Sequence, residues 1–324
     1  MPSEDISLVG WGWPMRRPWG PLFLALMLLI GTLPAAAGPA INQFEVKDLE
    51  VEQGEVEIED QSDWAFGLPR RKFVNDGGDT EFDDNEVARQ RHSIEISFGL
   101  TNWLKIGTGF ELEDERVDDP ESFADANAFT GLQVTEIAFE GLIVLVPVKN
   151  HGIGLGAYAE LQLPRTGEAR TLYVGPIIQA VSGPWSATGN FAFVKFMGGE
   201  AEDGEARDEK WDFAYFTQLK YEASEAWAFA LEAYGTIDRI GNSGTPSEAA
   251  VAIGDQDQHR IGPVLYYTFK RDRMAPVTGM KLGAASEGDD DDEGTSATLG
   301  LGFLAGLNDN TPDGTLKLSL EIEF

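Results

Sequence analysis

Thr315-Leu-Lys-Leu-Ser-Leu-Glu-Ile-Glu-Phe324 decides how the rest of this chain is read. Leu316, Leu318, Leu320, Ile322 and Phe324 fall on one face, and Thr315, Lys317, Ser319, Glu321 and Glu323 on the other. A period of two is that of a β-strand with one apolar and one polar side. The same alternation recurs backwards along the chain, over residues 54–66, 87–99, 103–113, 131–146, 152–163, 171–182, 185–197, 210–222, 227–238, 258–269 and 296–306. With residues 315–324 that makes twelve segments, and none carries a sustained helical period with caps.

The connections are sorted by length. Thr101-Asn102, Asn150-His151, Gly183-Pro184 and Ala223-Ser-Glu225 are tight, whereas residues 68–86, 114–128, 198–209 and 240–257 are long and rich in Gly, Asp and Glu. Transmembrane barrels alternate short turns with long loops and keep an even strand number, which a soluble sandwich has no reason to do. The predicted fold is all-β: a transmembrane antiparallel up-and-down β-barrel of twelve strands over residues 54–324. Residues 277–287 also alternate, and are taken with residues 271–295 as one long connection, since a thirteenth strand breaks parity. The longest apolar run of this region, Leu142-Ile-Val-Leu-Val-Pro-Val148, is far short of the roughly twenty residues a membrane helix needs.

The amino terminus fits export. Met15-Arg-Arg17 precedes the apolar run Leu22-Phe-Leu-Ala-Leu-Met-Leu-Leu-Ile30, and Leu33-Pro-Ala-Ala-Ala-Gly38 supplies small residues for cleavage. This is the plan of a secretory signal peptide over residues 1–37, with Met15 as the expected initiator and cleavage expected after Ala37. Residues 38–53 are then expected to form a periplasmic lead-in, and the barrel to lie in the outer membrane. The closing strand resembles that of bacterial outer-membrane barrels, which implies recognition of Phe324 by the barrel assembly machinery. Membrane lipid and lipopolysaccharide are the other expected partners.

Strand parity assigns the faces. Ile94, Ile96, Phe98, Ile106, Leu265 and Phe269 should meet lipid. The predicted lumen lining is Arg89, Arg91, Glu95, Lys105, Glu136, Glu140, Tyr158, Glu160, Asp212, Lys220, Glu232, Arg260, Lys317 and Glu321. An Arg or Lys facing mid-bilayer costs about 2–4 kcal/mol, so the charged rows must point inward. Trp64, Trp103, Trp185, Trp211 and Trp227 sit near strand ends, where aromatic girdles belong.

Several chemistries are excluded or disfavoured. With no cysteine, the chain has no disulfide, thiolate nucleophile or Cys-based zinc site. A net charge of −31 opposes nucleic-acid binding, which neutralises phosphates with Lys and Arg. The histidines are His92, His151 and His259. His92 and Ser93 are adjacent on a strand, so their side chains point to opposite faces and form no general-base pair. The acidic runs at 76–86, 111–121, 200–209 and 289–293 lack the Asp-x-Asp-x-Asp-Gly order of a dedicated calcium loop. No catalytic residue, resident metal or cofactor is expected. Gly107-Thr-Gly109 and Gly152-Ile-Gly-Leu-Gly156 precede no helix, so they read as bends or close approaches rather than phosphate loops.

Four stretches resemble a family of outer-membrane transporters grouped with a protein of the phenol meta-cleavage pathway. They are Gly54-Glu-Val-Glu-Ile-Glu59, Glu86-Val-Ala-Arg-Gln-Arg-His-Ser-Ile-Glu-Ile-Ser-Phe-Gly-Leu-Thr-Asn-Trp-Leu-Lys105, Ile261-Gly-Pro-Val-Leu-Tyr-Tyr267 and Gly300-Leu-Gly-Phe-Leu-Ala-Gly-Leu-Asn-Asp-Asn-Thr-Pro-Asp-Gly-Thr-Leu-Lys317. The resemblance implies passive passage of small, often aromatic or apolar, solutes and carries no catalytic set. Two readings follow for the mixed-sign lumen: a narrow aqueous passage, or a structural or surface-interaction barrel closed by ion pairs. An outer-membrane enzyme ranks below both.

Overall fold

The structure is a computed structural model. It describes residues 44–70, 73–76, 79–82, 87–117, 125–149, 151–165, 170–197, 211–237, 240, 257–270 and 295–324. Its strands in chain order are β1 (Val56–Phe66), β2 (Phe73–Asp76), β3 (Asp79–Phe82), β4 (Ala88–Thr101), β5 (Leu104–Glu115), β6 (Gln133–Val146), β7 (His151–Pro164), β8 (Arg170–Ser182), β9 (Trp185–Met197), β10 (Trp211–Glu222), β11 (Trp227–Ile237), β12 (His259–Lys270), β13 (Ser296–Gly306) and β14 (Gly314–Glu323). Twelve of these close into one antiparallel barrel. From β4 to β14 each strand pairs with its neighbour in sequence, and β1 completes the ring between β14 and β4. Among the described residues no helix is long and apolar enough to cross a membrane.

The twelve-strand expectation therefore holds, and β12 pairs directly with β13. Residues 277–287 lie outside the described residues. The region expected as a plain loop between the first two barrel strands contains the small β2–β3 hairpin. Its signal, Gly77-Gly78 between two short alternating runs, was masked by the acidic composition around it. The loop sorting is looser than expected. The β7–β8 connection runs only from Pro164 to Arg170, on the same end as the long loops.

Alternation fixes which side faces out. Leu145, Ile153, Phe139, Phe229, Leu301 and Phe303 are each at least half exposed, forming a continuous apolar exterior. Such a belt is a liability in water and the satisfied surface of a barrel in hydrocarbon. Between these positions, Glu140, Glu160, Asp212, Glu232, Arg260 and Lys317 are buried. The fold is thus inverted relative to a soluble protein, with ionised groups enclosed and large apolar side chains outside.

Candidate functional site

The lumen is built from three parts: a leading segment of the chain, an apolar wall and an acidic wall. Residues 44–53 were expected as a lead-in outside the barrel. The structure instead places them within it. At the end of the barrel that carries the short turns, Gln53 N–H donates to Asn102 Oδ1 at 3.0 Å and Gly54 N–H to the Gly99 carbonyl at 2.8 Å. From there the segment runs inward without a strand partner. Its backbone is satisfied by lumen side chains instead. Leu49 N–H donates to Gln179 Oε1 at 3.0 Å. Lys47 N–H donates to Asn190 Oδ1 and the Lys47 carbonyl accepts from Asn190 Nδ2, both at 2.7 Å. Tyr234 Oη donates to the Phe44 carbonyl at 3.0 Å.

The apolar side chains of the segment meet an apolar wall. Phe44, Leu49 and Val51 pack in one buried cluster with Leu142, Val144, Tyr158, Tyr173, Ile177 and Phe216. Phe44 stands edge-on to Tyr234, with ring centroids 5.2 Å apart. Leu49 sits over two glycines of β7. A Cβ at Gly154 or Gly156 would approach a Leu49 methyl to 2.7 or 2.5 Å. The sequence reading took these glycines for bends or close approaches; here the approach is that of the Leu49 side chain. Lys47 Nζ pairs with Glu45 at 2.6 Å and with Glu140.

Charged residues fill much of the remainder. Arg91 pairs with Glu111 at 2.8 Å and with Glu113. Lys105 pairs with Glu57 at 2.8 Å. Lys317 Nζ donates to Glu232 Oε2 at 2.8 Å and to Tyr234 Oη at 2.9 Å, while Tyr266 Oη also bonds Glu232. Glu160 accepts from Gln162 at 3.0 Å, Asp212 is 1% exposed, and Arg260 lies over the Phe44 ring. Glu136 stands opposite Glu111 in the β5–β6 register. Lys220 is part-exposed near the short-turn end, 3.8 Å from Glu222. Glu95 and Glu321 flank Glu59 across two strand pairs.

Arg89 departs from the expected lining. A register shift between Ala88 and Gln90 breaks strict parity at that point. The Arg89 side chain is 54% exposed, donates to Asp114 from Nε at 2.8 Å, and lies over the Phe129 ring. Strict alternation cannot see a bulge.

Beside the leading segment, among the described residues, lies a narrow cleft with a cavity volume of only about 10 Å³, room for about one water. Phe44, Glu45, Glu59, Gln61, Asp63, Arg91, Ser93, Glu95 and Lys317 line it. Glu59, Gln61 and Asp63 were missed from the sequence because their importance comes from register. Only pairing of β1 with both β4 and β14 sets Glu59 opposite Glu95 and Glu321.

On the outer face, His92 Nδ1 lies 2.7 Å from Ser62 Oγ, a cross-strand contact between β4 and β1. The adjacent Ser93 is not its partner. The backbone groups around the pair are committed to strand ladders, and neither strand supplies the free N–H donors an oxyanion needs.

No family profile matches the chain, and no curated protein matches it. Solved structures do. The chain is similar to the COG4313 outer membrane channel from Pseudomonas putida F1, at 10% identity and a TM-score of 0.50, over 88% of this chain and 98% of that one. It is also similar to a Pseudomonas aeruginosa FadL homologue, at 8% identity and a TM-score of 0.32, over 91% and 98%. A third is the CymD monoaromatic hydrocarbon channel, at 8% identity and a TM-score of 0.33, over 91% and 97%. The first of these likenesses supports the barrel architecture.

Proposed function

We propose that this chain is an outer-membrane channel for the passive passage of small solutes, exported by a cleaved signal peptide and inserted through its final strand. One observation carries this reading: a closed barrel with an apolar exterior encloses a charged interior, and a cleft remains beside a segment held mainly by side-chain hydrogen bonds. A barrel whose only task is to fill itself needs no such separate segment. The backbone hydrogen bonds of residues 44–53 to Gln179, Asn190 and Tyr234 can be exchanged for water, while the packing of Phe44, Leu49 and Val51 holds the segment in the passage it narrows. The apolar patch around Leu142, Tyr158, Ile177 and Phe216 supports aromatic or apolar solutes as cargo, as does the resemblance to aromatic-pathway transporters.

A structural or surface-interaction barrel is the second reading. The buried pairs Lys47–Glu140, Arg91–Glu113 and Lys317–Glu232 favour it, because they occupy lumen space. Planar-bilayer recording and liposome swelling on the folded mature chain, with and without residues 44–53, separate the two. A channel conducts, and conducts more after the deletion. Silence from both proteins overturns the channel reading.

A further inference from the structure

We propose that the lumen wall formed by β8 and β9 is a peptide-backbone subsite, and that the solutes of this channel are short peptides taken in extended form, with a lysine and apolar side chains. The inference rests on the channel reading and names the chemical class of what passes.

Two buried carboxamides carry it. Asn190 of β9 is 1% exposed and Gln179 of β8 is 5% exposed, and both face the lumen. Among the described residues, the Asn190 side chain bonds only the backbone of Lys47. Its Oδ1 accepts the N–H and its Nδ2 donates to the carbonyl, both at 2.7 Å. Gln179 Oε1 accepts the Leu49 N–H at 3.0 Å. In an extended backbone the N–H and C=O of one residue point to the same side, and the next N–H on that side comes two residues on, about 6.6 Å away. Register sets the two carboxamides close to that spacing. Ile177 faces Asn190, so Gln179 is its diagonal neighbour, and diagonal neighbours lie about 7–8 Å apart. The wall thus reads one edge of an extended peptide at two successive positions, much as a sheet reads an added strand through main-chain hydrogen bonds.

The side chains of the bound stretch give a second, independent observation. Lys47, Leu49 and Val51 are buried, whereas Asp48 is half-buried and Glu50 and Glu52 are exposed, which is the period of two of an extended chain with one face on a wall. Leu49 occupies the notch over Gly154 and Gly156. Glu140, a residue of the wall, meets the Lys47 ammonium. The lumen therefore specifies backbone first, then an aliphatic and a cationic side chain at alternate positions. Buried carboxamides are costly whenever their partners leave. Displacement of the leading segment vacates two acceptors and one donor on Asn190 and Gln179. An arriving peptide restores all three in one register, and a hydrocarbon restores none. The leading segment is in this sense a resident copy of the solute.

The test uses N-acetyl-valyl-lysyl-alanyl-leucine amide, whose lysine and leucine keep the spacing of Lys47 and Leu49, on a planar bilayer holding the chain without residues 44–53. The peptide should block the current in proportion to its concentration. Methylation of its lysine backbone nitrogen removes the proton that Asn190 accepts, and should weaken the block on the order of tenfold. Methylation of its valine nitrogen, which points away from the wall, should leave the block within about twofold. Asn190→Leu should make the parent and the lysine-methylated peptide block alike, and heat-modifiable gel migration reports that this variant still forms a barrel. Liposomes carrying the intact chain should swell faster in the parent peptide than in the lysine-methylated one. Where the shortened chain does not fold, Lys47→Ala with Leu49→Ala loosens the segment within the full-length chain and takes its place. Conductance without block, or equal block of the unsubstituted wall by both peptides, overturns the peptide subsite and leaves the channel reading standing. Block without swelling overturns peptides as the cargo. No conductance from the intact chain or from either altered one overturns the channel reading and this inference together.

Discussion

At the scale of single residues, the lumen separates groups that are costly to disturb from groups that merely hold the leading segment. Lys317 and Glu232 are both buried and bonded to each other and to Tyr234. Removing one partner strands an uncompensated charge, at about 3–5 kcal/mol. Lys317→Met should therefore lower the temperature at which the folded barrel loses its compact gel migration, and adding Glu232→Gln should recover most of the loss. Gly156→Val acts differently. Its Cβ would meet a Leu49 methyl at 2.5 Å and the Ile143 carbonyl of β6 at 2.8 Å, so the leading segment should be displaced and the β6–β7 pairing strained. Higher conductance, with trypsin cleavage after Lys47, is the expected outcome; an unchanged digestion pattern contradicts it. Glu50 adds a pH term near the entry to the segment. Asp48 beside it, and burial second, raise its carboxyl to about 7. A carboxyl raised in the docked state favours docking when protonated. Asp48 stays beside Glu50 whether or not the segment is docked, so only the part of the rise that comes from burial and from Glu323 and Glu222 is linked to docking, which should weaken modestly as pH rises towards about 7 and then level off. Conductance should rise across that interval, and Glu50→Gln should flatten the rise.

At the scale of elements, the strands were legible because their signal is local. Thr315–Phe324 alternates without exception, and the same holds for Glu140, Leu142 and Val144 facing inward on β6 against Ile143 and Leu145 facing out. What sequence alternation marks, however, is side, not polarity. Leu142, Val144 and Ile177 fall inward with the charged residues, and they meet Leu49 and Val51 rather than lipid. Residues 44–53 were misplaced for a related reason. Leu49-Glu-Val-Glu52 alternates like a strand but pairs with side chains, and no local pattern distinguishes Asn190 as a backbone surrogate from any other inward polar residue. The hairpin β2–β3 and the register shift at Arg89 were likewise invisible, one behind composition and the other behind assumed regularity. Parity still yields a sharp contrast on β13. Leu301 is half exposed on the outer face, whereas Thr298 faces inward opposite Glu321. Leu301→Arg should cost about 2–4 kcal/mol in a bilayer, and Thr298→Arg should be tolerated. Urea unfolding in vesicles compares them directly.

At the scale of the whole molecule, the ring is sealed between its first strand and its last. Glu57 of β1 lies against Glu323 of β14, near opposite ends of the described chain. Contacts so distant in sequence form late, because the entropy of closing so long a loop must be met first. Yet the residues immediately preceding β1 already lie threaded through the enclosure, hydrogen-bonded to β8, β9 and β11. Entry of the leader into a sealed cylinder carries Lys47 and Glu45 along the charged interior, a slow passage. Laying the leader against the half-built sheet avoids that passage, so a chain lacking residues 44–53 should close its barrel at a different rate from the intact chain, as timed refolding into detergent would register.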